Sequence, residues 1–309
     1  MNVDRILLTG SSGFIGTSLV RTLTQNRIST IILRRSPIQG AGAESQALWD
    51  PYAATPMSRP QVLDGITAAV HLSGANLAGR RWTSAYKAEL FNSRVTPTRA
   101  LATLLAGLRS KPEVLVCASA IGIYGERADE ELTEASLPGS GFLPDLCLAW
   151  ERATQPAEDA GIRIVHFRFG VVLSPQGGAL KQMLPVFRAG LGGRLSSGRQ
   201  WISWIALPDV TRAIEFLIKN RSVAGPVNVV APNPVTNLEF TRSLARALRR
   251  PAALPVPALA LRLAFGEMAE ATILRSERAL PARLNAAGFD FEYPELDAAL
   301  RAVLPPLKE

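Results

Sequence analysis

The chain has 309 residues, 47% hydrophobic and 19% charged, with Gly (24) and Pro (22) near ordinary usage, which excludes disordered, collagen-like and coiled-coil classes. Its formal charge of +8 comes from 34 Lys and Arg against 26 Asp and Glu. The arginines stand singly or in pairs (Arg34-Arg35, Arg80-Arg81, Arg249-Arg250), which argues against a nucleic-acid partner and for an anionic small-molecule ligand.

Cys117 and Cys147 fit neither a disulfide framework nor a metal-ligand spacing and read as buried thiols in a reducing compartment. No basic leader followed by an apolar core opens the sequence, and no apolar stretch approaches the ~18–20 residues of a membrane span. A cytoplasmic protein without a membrane partner is expected.

In chain order, residues 5–9 form an apolar run ending in Gly-Ser-Ser-Gly, and apolar residues from 14 to 23 recur at helical spacing, which predicts strand, glycine turn and helix. A β-branched run at 28–33 predicts a second strand, a Pro- and Gly-rich connection spans 37–60, and 68–72 predicts a third strand ending in Ser73-Gly74. A helix at 84–108, a strand at 114–118, a helix at 143–160 stopped by Gly161 and a strand at 163–169 continue the alternation. Strands alternating with helices predict an α/β class, a Rossmann-type doubly wound parallel sheet over residues 1–175.

Past 175 the rhythm changes, and 176–309 is expected to be a smaller lobe completing a cleft over the strand ends. It holds glycine-rich 190–198, a helix over 209–220 with Asp209 as N-cap, a strand over 226–230, a helix over 237–248, and a linker at 251–257 before a last amphipathic segment. Arg81, Gln200, Trp201 and Trp204 offer a cation, an amide and flat apolar faces, and are the expected contacts of an anionic or planar substrate.

Gly10, Gly13 and Gly16 lie between the first strand and the first helix. In a dinucleotide site the first permits the tight turn, the second the approach of a pyrophosphate, and the third close packing of helix on strand, with the phosphates on the helix N-terminus. The second strand ends Leu33-Arg34-Arg35-Ser36, with no acid for a ribose 2′-hydroxyl, so the two arginines are expected to hold the 2′-phosphate of NADP(H).

Further along stand His71-Leu-Ser-Gly-Ala-Asn76, Arg81-Trp-Thr, Arg94, Ser119-Ala-Ile-Gly-Ile-Tyr124-Gly125, Trp150-Glu151, Arg168-Phe-Gly-Val-Val-Leu173 and Gly198-Arg-Gln-Trp201. With the glycine turn and Arg34-Arg35, this series resembles the extended, epimerase-like branch of the short-chain dehydrogenase/reductase superfamily, and within it an atypical epimerase family. The resemblance covers nearly the whole chain. Its last part, about 251–300, resembles the small domain of unassigned function that closes those proteins. The resemblance implies that Gly10, Gly13, Phe14 and Ile15 surround the pyrophosphate and that Ser73 and Gly74 pass beside adenosine and ribose. It also implies cofactor contacts for Glu89 and Arg94, and a place near the nicotinamide for Val172.

That superfamily usually moves its proton with Ser or Thr and a Tyr-x-x-x-Lys pair. Four residues after the tyrosines of this chain stand Pro56, Leu90, Ala128 and Asp297, none of them lysine. Counting back from Glu151 as the resemblance suggests puts Leu143 and Cys147 where the pair would be. Ser119 and Tyr124 remain as candidate proton-transfer residues. His71 and His166 read as satisfied core histidines, Asp129-Glu130-Glu131 as a solvated loop, and no metal is expected. Two functions stay open: an NADP(H)-dependent oxidoreductase or epimerase with a substituted acid–base system, or a non-catalytic NADP(H)-binding regulatory protein, a type associated in some cases with cell division.

Overall fold

Ile6 and Leu8 project to one side of β1 (Arg5–Thr9) and Leu7 to the other, and all three are fully buried, as in a strand covered on both faces. The computed structural model describes residues 5–36 and 46–305; part of the expected 37–60 connection lies outside the described residues. β1 leads through the glycine turn into α1 (Phe14–Gln25) and β2 (Ser29–Arg34), followed by β3 (Gln46–Leu48), β4 (Ala68–His71), α2 (Ser84–Ala106), β5 (Val114–Ala120) and β6 (Glu131–Leu132). α3 (Phe142–Arg152) and α4 (Gln155–Asp159) return to β7 (Arg163–Phe169). Next come β8 (Val171–Leu173), α5 (Gly178–Arg188), β9 (Trp201–Ile202), β10 (Trp204–Ala206), α6 (Leu207–Lys219) and β11 (Gly225–Val229). β12 (Val235–Thr236), α7 (Asn237–Leu248), α8 (Ala258–Phe265), β13 (Arg278–Ala279), α9 (Ala282–Ala286) and α10 (Leu296–Val303) follow.

One sheet of seven parallel strands, in the order β11-β7-β5-β4-β1-β2-β3, organises the chain as the expected Rossmann-type fold. Ile6, Leu8, Val70 and Val116 pack with Leu19 and Leu23 of α1 and Ile214 and Leu217 of α6 on one face. Leu7, Ala69 and Leu115 pack with Leu101 and Leu105 of α2 on the other. A further core joins α5, α7 and α10 beneath β8 and β10.

Three sequence expectations are corrected. The strand assigned to the smaller lobe is β11, the edge strand of the large sheet, paired with β7 from Gly225↔Val165 to Val229↔Phe169. Its Pro226 is tolerated because an edge strand leaves one side of its backbone unpaired. The single helix over 143–160 is two, α3 and α4, because Pro156 cannot donate to the preceding turn and opens α4 instead. Asp209 is not an N-cap. Ala206 holds that position, and the fully buried Asp209 carboxylate accepts from the backbone N–H groups of Glu292 and Tyr293, both at 2.9 Å. Asp209 thus ties α6 to the segment before α10.

Candidate cofactor and substrate site

The glycine turn carries three different local demands. Gly10 has φ +73°, and a Cβ there would lie 2.6 Å from the Leu72 carbonyl. A Cβ on Gly16 would overlap the Gly10 carbonyl, so α1 lies directly on the turn. Gly13, the N-cap of α1, has ordinary extended backbone (φ −72°, ψ 161°), and a Cβ there would meet only the Gly10 oxygen at 3.4 Å. The first and third glycines are required by the chain itself, while the second leaves open space in front of the helix. α1 starts without a side-chain cap or an acidic residue in its first turn, leaving amide donors and the positive dipole end for an anion.

From this turn a cavity of about 840 Å³ runs along the C-terminal ends of β1, β2 and β4, lined among others by Gly13, Arg34, Arg35, Tyr52, Gly74 and Glu89. The ends of parallel strands are where such sheets take ligands. The Nε of Arg34 is buried with no hydrogen-bond partner among the described residues. Ser73 belongs to the same lining. Glu89 faces the cavity half-exposed, 3.6 Å from Arg80.

Arg94 sits behind the cavity wall rather than in it. Its guanidinium donates to the carbonyls of Leu90 and Ala75, stands 5.2 Å over the Trp150 ring, and lies 3.3 Å from where a Gly74 Cβ would be. A side chain on Gly74 would press on that guanidinium, and Arg94 fixes the loop after β4. Phe14 and Ile15 pack against the core that includes Val172 of β8, and the Phe14 ring fills the space beside Gly177 at the start of α5.

Next to this cleft the sheet carries a polar row. Register sets Ser119 of β5 opposite Arg168 of β7, and Arg168 opposite Asn228 of β11. Arg168 grips the Glu151 carboxylate with Nε and Nη2 (2.8 and 2.9 Å) and donates from Nη1 to the Tyr124 hydroxyl at 3.0 Å. Ser119 donates to Glu151 at 2.7 Å, Tyr124 donates to the Asn228 side-chain oxygen at 2.7 Å, and the Asn228 amide donates to the Leu280 carbonyl. Burial pushes the Glu151 carboxyl up, but the Arg168 hydrogen bonds and the nearby charges of His166 and Arg168 outweigh it and leave it below its ordinary value. Burial likewise raises the Tyr124 phenol against the pull of Arg168.

These contacts correct part of the expected site. Tyr124 is fully buried with its hydroxyl committed on both sides, and Ser119 is 2% exposed. Tyr124 has no surface from which to meet a ligand, which leaves no place for the proton-transfer role expected for it. Trp204 is fully buried, pairs through β10 with Val171, and donates its indole N–H to the Asn233 carbonyl. An aromatic inside the core cannot be a substrate face. Gln200 is buried and braces the turn after α5 through the Leu195 carbonyl. Trp201 remains half-exposed, with its N–H on Asp129 and its ring 4.5 Å from the Arg278 guanidinium. Arg81 is exposed beside Gly266. His71 is less satisfied than expected: Nδ1 meets the Thr9 hydroxyl at 2.6 Å, Nε2 is buried without a partner among the described residues, and burial lowers the ring to about 4.

The fold and site define a class. The chain belongs to the NAD dependent epimerase/dehydratase family, whose profile matches residues 6–231, and a domain of unknown function, DUF1731, matches residues 256–303. It is 43% identical over 297 residues to epimerase family protein Mb2239 of Mycobacterium bovis (96% of each chain) and 36% identical over 305 residues to epimerase family protein YfhF of Bacillus subtilis (98% of this chain, 99% of that one). The crystal structure of human epimerase family protein SDR39U1 with NADPH superposes with a TM-score of 0.88 at 32% identity, covering 97% of this chain and 98% of that chain. The family resemblance carried by the sequence motifs is borne out.

Proposed function

We propose that the chain binds NADP(H) and acts as an oxidoreductase or epimerase on a small molecule, with proton transfer that does not use a Tyr-x-x-x-Lys pair. The observation that carries this reading is Arg34: a buried guanidinium nitrogen without a partner among the described residues, at the end of β2, on the wall of the cavity that starts at the glycine turn. A buried donor left open costs free energy that a phosphate oxygen recovers. Gly10, Gly13, Phe14 and Ile15 surround the pyrophosphate at the start of α1, which Gly16 lets lie close on the turn; Arg34 and Arg35 hold the 2′-phosphate, Ser73, Gly74 and Glu89 the adenosine side, Val172 stands toward the nicotinamide, and Arg94 braces the wall. When bound, the nicotinamide supplies hydride exchange, which no side chain provides. The NADPH of the human relative supports the choice of cofactor.

Proton transfer does not pass through the two positions where the pair would stand. Leu143 has no proton to exchange, and burial, with the Glu151 charge, pushes the Cys147 thiol up to about 12. The reading includes a cytoplasmic location, no membrane or nucleic-acid partner, and a smaller substrate lobe drawn from residues 176–309 apart from β11; no helix among the described residues is long and apolar enough to cross a membrane. A second reading, a non-catalytic NADP(H)-binding regulatory protein, is favoured by one observation: Ser119 and Tyr124 are both spent on the Glu151–Arg168 network.

One experiment tests both. NADPH is titrated calorimetrically into wild type and Arg34→Ala, and a carbonyl library is then screened for NADPH consumption by absorbance. Arg34-dependent binding with turnover supports the first reading. The same binding with no turnover across the library supports the second, and absence of NADPH binding overturns both.

A further inference from the structure

Two parts of the cavity are not taken by the phosphate and ribose contacts proposed above. One is the turn after β3. The Asp50 carboxylate accepts the Tyr52 backbone N–H at 3.0 Å, the Asp50 carbonyl accepts that of Ala53 at 3.2 Å, and the Asp50 N–H donates to the Pro56 carbonyl at 2.8 Å. A turn tied at three points holds Tyr52 in place, because the aspartate side chain closes it on the backbone two residues on. Tyr52 is nevertheless 53% exposed and lines the cavity, as does the buried Trp49. The other part is α2, where the exposed Asn92 lines the cavity one helical turn after Glu89, on the same face.

Ser93, the next cavity residue of α2, spends its hydroxyl on the Leu90 carbonyl and the Ala75 N–H, both at 3.1 Å. Asn92 spends nothing: its side chain makes no hydrogen bond among the described residues, and the Tyr52 side chain makes neither a hydrogen bond nor a ring contact there. A flat aromatic face and an uncommitted carboxamide are what a purine base calls for. The faces stack, and an asparagine side chain meets the 6-amino group and N7 of adenine two-pronged. Hypoxanthine carries an oxygen at position 6 and so presents two acceptors, which a carboxamide offering one N–H beside one oxygen cannot match.

We propose that Tyr52 and Asn92 form the base subsite of the cofactor cavity, Tyr52 stacking on the purine and Asn92 reading its 6-amino group and N7, so that the chain selects adenine nucleotides over their hypoxanthine counterparts. The proposal deepens the reading above by naming the residues that read the base, and it rests on that reading for the pyrophosphate at the glycine turn. The two roles are separable. Stacking uses a face that every base has, whereas the carboxamide reads one edge.

Calorimetric titration of NADPH, its hypoxanthine analogue, ADP and IDP into wild type, Tyr52→Ala, Tyr52→Phe and Asn92→Ala tests this. Wild type should bind each adenine nucleotide at least about fivefold tighter than its hypoxanthine counterpart. Asn92→Ala should erase that preference, chiefly by weakening the adenine nucleotides. Tyr52→Ala should weaken both kinds at least about fivefold and keep the preference, while Tyr52→Phe, which retains the ring, stays near wild type. Both side chains are exposed, so the variants keep their fold, which their melting temperatures check. Equal affinity for adenine and hypoxanthine nucleotides in wild type, a preference that survives Asn92→Ala, or Tyr52→Ala binding like wild type overturns the proposal. Failure of NADPH alone to bind overturns the cofactor reading instead, and the ADP and IDP titrations still decide the base subsite; absence of binding by all four overturns both.

Discussion

Arg168 and Arg34 stand near the ends of two strands of the same sheet and are treated in opposite ways. Arg168 has Nε and Nη2 on Glu151 and Nη1 on Tyr124, and Tyr124 passes the chain of hydrogen bonds to Asn228. Arg34 ends on a cavity wall with a buried nitrogen that no described residue meets. Polar groups whose hydrogen bonds close within the chain hold strands and helices in register, whereas groups left open at a strand end are reserved for something that is not part of the chain. By this criterion the row Ser119–Arg168–Asn228 is scaffold, and the glycine turn with Arg34 is the proposed site.

The largest consequence concerns the closed row. Glu151→Gln leaves the Arg168 charge buried without its counter-ion, and urea unfolding should show a loss of about 3–5 kcal/mol; a loss under about 1 kcal/mol would mean the row is not structural.

His71 lies between the two cases, with one nitrogen satisfied and one not. Its folded value of about 4 lies below the ordinary 6.5, so between those two values the unfolded chain binds the extra proton. This contribution is present above pH 6.5 and is lost as pH falls toward 4, by up to about 3 kcal/mol. Denaturation midpoints measured across that window should rise with pH in wild type and lie flatter in His71→Asn.

On the open side, Gly13→Val should lower NADPH affinity at least about a hundredfold, near 2.8 kcal/mol, because the side chain enters the space in front of α1. Its melting temperature should stay close to wild type, since the backbone there suits any residue. An unchanged affinity would reduce the glycine turn to a structural feature. The smallest effect belongs to the Arg34→Ala/Arg35→Ala pair, which should erase a preference for NADPH over NADH of at least about tenfold, about 1.4 kcal/mol. Equal affinities already in wild type would remove the 2′-phosphate assignment.

Features encoded by neighbours in sequence were readable from it. α7 begins and ends where its pattern says, because Thr236 and Glu239 cap each other across three residues. The glycine turn is likewise a local matter. Contacts between distant residues are not readable: Glu151 and Arg168 stand in recognisable motifs, but nothing in their types announces that the packing of α3 on the sheet brings them together. β11 was misplaced for the same reason, its partner β7 lying far back in the chain. Trp204 misled because an aromatic beside a glycine-rich stretch looks the same whether it faces a ligand or a core.

Residues 275–279 are joined to the loop after β5, where Ser276 donates its N–H to Glu126 and its hydroxyl to the Ala128 carbonyl, and this has a consequence for how the protein is made. The Ser276 bond to Glu126 spans 150 residues of sequence, and contacts of that separation form late because the intervening chain must first be brought together. On the ribosome the sheet strands and the glycine turn emerge well before β13, so a nascent chain has its nucleotide cradle while β6 still shows a bare edge. A bare edge in an unfinished chain invites pairing with the wrong neighbour. Premature termination before β13 would therefore yield a species whose β6 edge stays bare and that is prone to aggregate.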